Sequence, residues 1–255
     1  MTATAKLQPA RRTGRLFVEL AASDKDVREA QALRYRVFAG EMGARLKREA
    51  SGQDEDEFDP HCRHLLVRDR DNGRVVGCTR LLSSESASRI GRFYSEGEFD
   101  LGPILDLPGR LLEVGRTCID PAYRQGSAIA VLWSGLAGFI NLHGIDYLFG
   151  CASIPLGEND LQAAAVMNRL RSQAMARAGI RVIPRVPLGR SLGVDTNLFA
   201  PLPALLKAYV RLGAKACGEP CRDPDFNVAD VLMLLDMDEL DASYARHFID
   251  RAATA

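Results

Sequence analysis

The chain has no apolar run long enough to cross a bilayer, which takes about 20 residues. The nearest approach, Ile129 to Leu142, is short and is broken by Gly135, Gly138 and Asn141. It has no apolar h-region at its start, where MTATAKLQPARRTGR is polar and basic; a disordered arm over residues 1–15 is expected there, not a signal peptide. It has no net charge, since 33 Lys and Arg balance 33 Asp and Glu, so bulk electrostatics points to no nucleic-acid partner. It has no completed set of metal ligands either. His61, Cys62 and His64 stand together and Cys217 and Cys221 form a second weak pair, but no further cluster at zinc-finger spacing joins them, and no metal is expected. The six cysteines are scattered, several of them in apolar strand-like runs, which fits buried reduced thiols in a cytoplasmic protein.

What is present is ordinary in bulk and uneven in detail. Apolar residues make up 47% and charged residues 26% of 255 residues, enough for one large domain or a domain with an extension. Glu49 to Asp59 carries six acids and no base (Glu49, Asp54, Glu55, Asp56, Glu57, Asp59). Leu161 to Val194 carries six arginines and no acid (Arg169, Arg171, Arg177, Arg181, Arg185, Arg190). Such runs read either as solvated faces or as one surface for a cation and another for an anion.

Periodicity and turn residues divide the chain. Leu16 to Leu20 reads as a strand. Ser23 caps a helix from Asp24 to Met42. His64–Arg68 and Arg74–Leu82 form a strand pair across Asp71-Asn72-Gly73. Ser83 to Gly109 is irregular, with room for a short helix. Leu111–Ile119 is a strand, Gln125–Leu142 a helix stopped by Gly144, Ile145–Ser153 a strand and Asn159–Ala178 a helix. Leu205–Leu212 is a short helix, Val228–Leu235 an apolar strand and Asp241–Ala252 a terminal helix. One mixed sheet covered by helices satisfies this order, an α/β (α+β) fold with a parallel strand–helix–strand unit at its centre.

The centre is also where charge intrudes. LLEVGRTCIDPAYRQGSAIAVLW begins as a buried strand, yet holds Glu113 and Arg116. Successive side chains alternate in a strand, so these two fall on opposite faces unless a bulge between them turns both to one side. The alternative is an edge strand with solvated charges. The strand then turns at Asp120-Pro121 into Arg124-Gln125-Gly126-Ser127-Ala128, small residues that open a helix whose free N–H groups suit a phosphate.

This stretch resembles the acyl-donor motif of the GNAT acyltransferase superfamily. The resemblance implies a bulged strand for the pantetheine arm of a thioester and a following loop and helix for its phosphate. Thr117, Cys118, Ile119, Arg124, Gln125, Gly126, Ser127 and Ala128 occupy those positions. Ser127 and Ile129 stand where the motif has small glycine-type residues, which favours the single phosphodiester of a carrier-protein phosphopantetheine over coenzyme A. Leu33-Arg34-Tyr35-Arg36-Val37-Phe38, Asp56-Glu57-Phe58-Asp59, Val76 to Leu82 and Glu113-Val114-Gly115-Arg116 then occur in an order similar to autoinducer synthases. The match is closer to the ornithine-lipid N-acyltransferases, through Tyr123-Arg124, Ala128-Ile129, Leu132-Trp133, the Leu205 to Tyr209 block, Gly218-Glu219-Pro220 and Asp223 to Asn227.

That resemblance implies a single GNAT-like domain over residues 16–255, with a C-terminal extension from about Gly193. The implied reaction moves a (3-hydroxy)acyl chain from acyl carrier protein to the α-amino group of L-ornithine, giving lyso-ornithine lipid. No bound cofactor is implied; the carrier thioester is a co-substrate. Glu113 is the candidate base, directly or through a water. Asp56 and Asp59 are candidates for ornithine's ammonium, and Arg80 and Arg116 for its carboxylate or for bracing the acidic loop. Arg34 and Phe38 read as scaffold. The arginine run suits an acidic carrier protein or a peripheral contact with an anionic membrane face. Three alternatives stay open: another acceptor such as glycine or lysine, acyl-homoserine lactone synthesis, and a non-catalytic GNAT relative, against which the intact Glu113 argues.

Overall fold

The computed structural model describes residues 14–46, 51–188 and 200–240. The terminal helix expected over Asp241–Ala252, and all but the last two residues of the expected arm, lie outside the described residues.

Strand β1 (Leu16–Leu20) leads to Ser23, whose hydroxyl accepts from the Asp26 N–H while the Asp26 carboxylate accepts from the Ser23 N–H. This capping box starts α1 (Asp24–Tyr35). The helix expected to run unbroken to Met42 widens instead into a π turn over Arg36–Glu41, where the Met42 N–H reaches Val37 O. Single π turns of this kind are frequent at functional sites, and this one carries Phe38. Strands β2 (Arg63–Asp69) and β3 (Val75–Ser83) pair antiparallel as expected. The stretch to Gly109 holds α2 (Ser84–Ile90), β4 (Phe99–Asp100) and α3 (Gly102–Leu105). Then come β5 (Leu111–Ile119), α4 (Ala128–His143), β6 (Tyr147–Pro155), α5 (Leu161–Gln173) and β7 (Ile183–Pro184). The remaining described elements are α6 (Ala204–Leu212), β8 (Lys215–Ala216), β9 (Cys221–Asp223) and β10 (Val228–Asp236).

The main sheet runs β1-β2-β3-β5-β6-β10-β8, with β9 also on β10, and β4 pairs separately with β7. Among the described strands only β5 and β6 pair in parallel. Alternation divides the core. Leu65 and Val67 of β2 and Val231, Met233 and Leu235 of β10 pack with α4 and α5 on one face. Leu66 packs with α1 on the other, and Leu232 and Leu234 pack there with Phe93, Phe99 and Phe149. Gly135 lets α4 cross β1 closely, since a Cβ there would collide with Val18. Helix α5 ends at Gln173, short of the expected Ala178, because the backbone of Ala174 and Ala176 is taken by Ala216 at the sheet edge: Ala216 N–H donates to Ala174 O at 2.7 Å and Ala176 N–H to Ala216 O at 2.9 Å.

The sheet does not stay closed. Strands β5 and β6 pair over Leu111↔Tyr147, Leu112↔Leu148 and Glu113↔Phe149 and then part. Gly150 marks the last close approach, where any side chain would strike the Val114 carbonyl. Beyond it β5 follows β3 to Ile119 and β6 follows β10 to Pro155, leaving a wedge between two half-sheets.

Candidate active site

The wedge opens where β5 is irregular. Arg80 pairs with Gly115 and Cys78 with Cys118, so two residues of β5 stand against Thr79 alone. Arg116 takes φ 52°, the left-handed region that a non-glycine side chain rarely adopts. The bulge shifts the alternation by one. Leu111 packs on the Phe149 side before it, and Ile119, also odd-numbered, packs on the α4 side after it. Glu113 and Arg116 consequently both reach Tyr94: the Tyr94 N–H donates to Glu113 Oε2 at 2.8 Å, and Arg116 Nη1 lies 3.3 Å from the phenol oxygen. Of the two readings open for these charges, a bulge or a solvated edge strand, the bulge is present.

Glu113 is buried, and its acceptors are used by neutral donors. The Ser95 N–H and hydroxyl donate to Oε1 at 2.7 and 2.5 Å, beside the Tyr94 N–H on Oε2. Burial pushes its pKa up, and the Ser95 and Tyr94 hydrogen bonds oppose that rise. Ser95 Oγ also lies 3.2 Å from Cys151 Sγ across the wedge.

The acidic loop folds under this site. Arg34 Nε donates to Asp54 Oδ2 at 2.8 Å, and its two terminal nitrogens reach both oxygens of Asp59 at 2.9 and 2.8 Å. Arg80 Nη1 bridges Asp56 at 2.5 Å and Asp59 at 3.0 Å. Arg116 lies 3.2 Å from Asp54 and 3.6 Å from Asp56, with its guanidinium over the rings of Tyr94 and Phe226. Burial raises Asp59, but the hydrogen bond and charge of Arg34, then the charge of Arg80, outweigh it and hold the carboxyl well below the usual range. Asp56 is lowered in the same way, burial being overcome by Arg80. Asp54, Asp56 and Asp59 are thus neither solvated nor on the cavity wall, whereas Arg80 and Arg116 line it. His64, read with His61 and Cys62 as a weak metal cluster, is buried with its ring nitrogen 3.0 Å from Asp59 O.

The cavity in the wedge encloses about 2200 Å³, open mouth included. Glu113, Arg116, Thr117, Cys118 and Ile119 of β5 face Cys151, Ala152, Ser153 and Pro155 of β6 across it. A second, mostly apolar cavity of about 990 Å³ shares Val114, Thr117, Trp133, Cys151 and Tyr209 with the first and runs on between α4, β6, β10 and α6. Tyr209 stacks on Trp133 at 5.9 Å and hydrogen-bonds Thr117, whose hydroxyl also lies 2.7 Å from that of Thr79.

The turn before α4 is less engaged. Arg124 lines the cavity, but its Nε donates to Ile119 O at 3.0 Å and its Nη2 to Glu41 at 2.7 Å. Gln125, Gly126 and Ser127 are exposed in the turn, and the helix starts at Ala128, which is buried, not at Gln125 as expected. Tyr94, Ser95, Glu98, Asp223 and Asp230 also line the cavity, although sequence reasoning singles out none of them as site residues. For Asp230 a signal exists: it is the one charge inside the apolar run Val228–Leu235. Tyr94, Ser95 and Glu98 fall in a stretch without periodicity.

Comparison with known proteins agrees with this geometry. Residues 33–134 match the acetyltransferase (GNAT) domain model. An L-ornithine N(alpha)-acyltransferase from Rhizobium meliloti is 35% identical over 93% of this chain and 85% of its own length. One from Rhodobacter capsulatus is 34% identical over 92% of this chain and 95% of its own. Among solved structures, a CoA-dependent acyl-homoserine lactone synthase superposes with TM-score 0.53 at 14% identity, covering 93% of this chain and 90% of that one. An N-acyl amino acid synthase from uncultured soil microbes superposes with TM-score 0.52 at 12% identity, covering 91% and 93%. At such identities these two share the fold alone.

Proposed function

The chain belongs to the L-ornithine N(alpha)-acyltransferase family of N-acyltransferases, and from that premise we propose that it moves a fatty acyl chain from the phosphopantetheine thioester of acyl carrier protein to the α-amino group of L-ornithine, yielding lyso-ornithine lipid. The observation that carries this reading is the identity of 33–35% to four such acyltransferases along 92–93% of the chain.

The shape of the site supports it. An acyl-pantetheine is long and thin, polar at one end and apolar at the other. The open wedge takes the pantetheine arm along Thr117 to Ile119. The apolar cavity behind Trp133 and Tyr209 takes the chain. Arg124 and the turn Gln125 to Ala128 meet the phosphodiester. Attack of the amine nitrogen on the thioester carbon forms the C–N bond and breaks the C–S bond. Glu113 takes the amine proton, through the Ser95 hydroxyl or a water, and the thiolate leaves with a proton from solvent. Backbone N–H groups of the bulge stabilise the oxyanion. Arg80 and Arg116 hold the amino acid's carboxylate, while Asp56 and Asp59 act through them, fixing both guanidiniums. The reaction needs no resident cofactor.

The exposed Arg169, Arg177 and Arg181 suit an acidic carrier protein or the membrane surface that receives the product. Among the described residues no helix is long and apolar enough to cross a membrane. Incubating the purified chain with 3-hydroxyacyl carrier protein and separate amino acids tests the proposal: N-acylation of ornithine is expected above that of glycine or lysine, and ornithine left unmodified while another amino acid is acylated overturns it.

A further inference from the structure

A second acidic cluster lines the cavity and takes no part in the chemistry assigned so far. Glu98 precedes β4, Asp223 ends β9 and Asp230 lies in β10, brought together by the β9–β10 pairing that sets Asp223 opposite Val228. Their carboxylate oxygens lie within 4.8 Å of one another. Asp230 is 4% exposed, and its Oδ1 accepts from the Ser153 hydroxyl at 2.7 Å. Asp223 Oδ1 accepts from the N–H groups of Asp225 and Phe226 at 2.8 and 3.0 Å. Glu98 Oε2 is fully buried and, among the described residues, has no hydrogen-bond partner, although the Glu98 carboxyl also meets the Cys151 thiol and the Asp230 carboxyl.

Nor, among the described residues, does a fixed cation attend the cluster. Among the described residues no Lys or Arg forms an ion pair with any of the three, and the neighbouring Arg222 turns to Asp160. Arg116 acts on Glu98 and Asp230 only from a distance. Buried carboxylates so placed keep a proton among them until a cation replaces it. Burial pushes both Glu98 and Asp230 up, with Asp223 adding to the rise. A primary ammonium has three donors, and three tetrahedral hydrogen bonds of ~2.8 Å set their acceptors ~4.6 Å apart, which is the spacing this cluster allows.

We propose that Glu98, Asp223 and Asp230 seat the side-chain ammonium of the amino-acid acceptor and thereby set the preference for a cationic side chain. The inference rests on the acceptor reading above and names the part of the site that makes it. The seat shares a wall with the candidate base: Ser95 Oγ lies 2.5 Å from Glu113 Oε1 and 3.2 Å from Cys151 Sγ, and the charges of Glu98 and Asp230 both bear on that thiol. An amino acid anchored at the seat therefore presents its α-amino group along the wall that ends at Glu113.

The test measures kcat/KM for L-ornithine and for 2-aminopentanoic acid, which lacks the terminal amine, with one acyl donor. Wild type is compared with Glu98→Gln and Asp230→Asn, both close in shape to the native residues. The expected result is a fall of about 30-fold or more in the preference for ornithine, through KM, with the melting temperature of each unliganded variant unchanged or raised. A preference that stands within about threefold overturns the seat. So does an equal loss for both substrates with KM unmoved, which would make the cluster structural or catalytic. Calorimetry on the full chain separates this inference from the acceptor reading. If wild type fails to acylate ornithine, that reading falls. Cluster-dependent binding of free ornithine over 2-aminopentanoic acid still supports the seat, and its absence sinks it. Mg²⁺, Ca²⁺ or Zn²⁺ binding that needs the cluster and that ornithine does not displace also overturns the seat, in favour of a metal.

Discussion

Two sets of three carboxylates feel the charge of Arg116, one in contact with it and one from a distance, and they behave in opposite ways. Asp54 and Asp59 are buried and Asp56 half-buried among the guanidiniums of Arg34, Arg80 and Arg116, and the pKa values of Asp56 and Asp59 fall. Glu98, Asp223 and Asp230 gather in the cavity with no arginine paired to them among the described residues, and Glu98 and Asp230 rise. The chemical group is the same, a carboxylate in every case. The difference is whether the fold supplies the cation or leaves the place for one. The first arrangement is internal scaffolding; the second stores repulsion that a ligand can relieve.

Glu113 belongs to neither set, being held by neutral donors, and offers the largest effect. Glu113→Gln is expected to lower kcat by about 10²–10⁴-fold with a circular dichroism melt close to wild type; turnover within a few-fold of wild type would remove it from proton transfer. Arg34→Met probes the satisfied set. It leaves Asp54 and Asp59 without their main partner in a dry site and is expected to cost about 3–5 kcal/mol, read as a shifted denaturant midpoint. A loss below ~1 kcal/mol would mean that the loop relaxes into solvent.

The pH response sharpens the contrast, because its sign differs between the sets. Asp56 and Asp59 are lowered on folding, so their contribution is present above the ordinary aspartate pKa of about 3.9 and is lost as pH falls through the depressed values. Glu98 and Asp230 are raised, so their contribution is present below about pH 4 and is lost as pH rises through the elevated values. In the unliganded protein Asp230→Asn is expected to raise the melting temperature by about 2–4 °C near pH 8 and to leave it unchanged near pH 4. Scanning calorimetry across that range decides; destabilisation at pH 8 would place Asp230 with the satisfied set. The smallest effect belongs to the outer surface. Reversing Arg169, Arg177 and Arg181 to Glu is expected to raise KM for the acidic carrier several-fold at low salt and to flatten its salt dependence, since exposed charges are screened within about 8 Å at physiological salt. KM for ornithine is expected to move by less than about twofold.

Much of the molecule is legible in its local sequence pattern. Leu111–Ile119 is a strand with the expected ends, Gly144 stops α4, and Ser23 caps α1. Each depends on neighbours a few residues away, on alternation, on a side-chain oxygen or on a left-handed glycine. The bulge is half legible: Glu113 and Arg116 in an apolar strand ask for either a bulge or a solvated edge, and the structure has the bulge. The resemblance of short motifs in order likewise points to the family that whole-length identity shows.

What sequence alone leaves open is partnership between distant charges. Glu98, Asp223 and Asp230 are spread over a loop and two strands, and only the pairing of β9 with β10 and the return of the loop before β4 make them neighbours. Asp56 and Asp59 look like an exposed acidic loop because six acids in eleven residues read as solvated; Arg34, Arg80 and Arg116 arrive from α1, β3 and β5 to cover them. Local pattern determines which residues turn inward. Which buried charge meets which depends on chain closure over tens of residues, and at short range that pairing decides whether a carboxylate is scaffold or site.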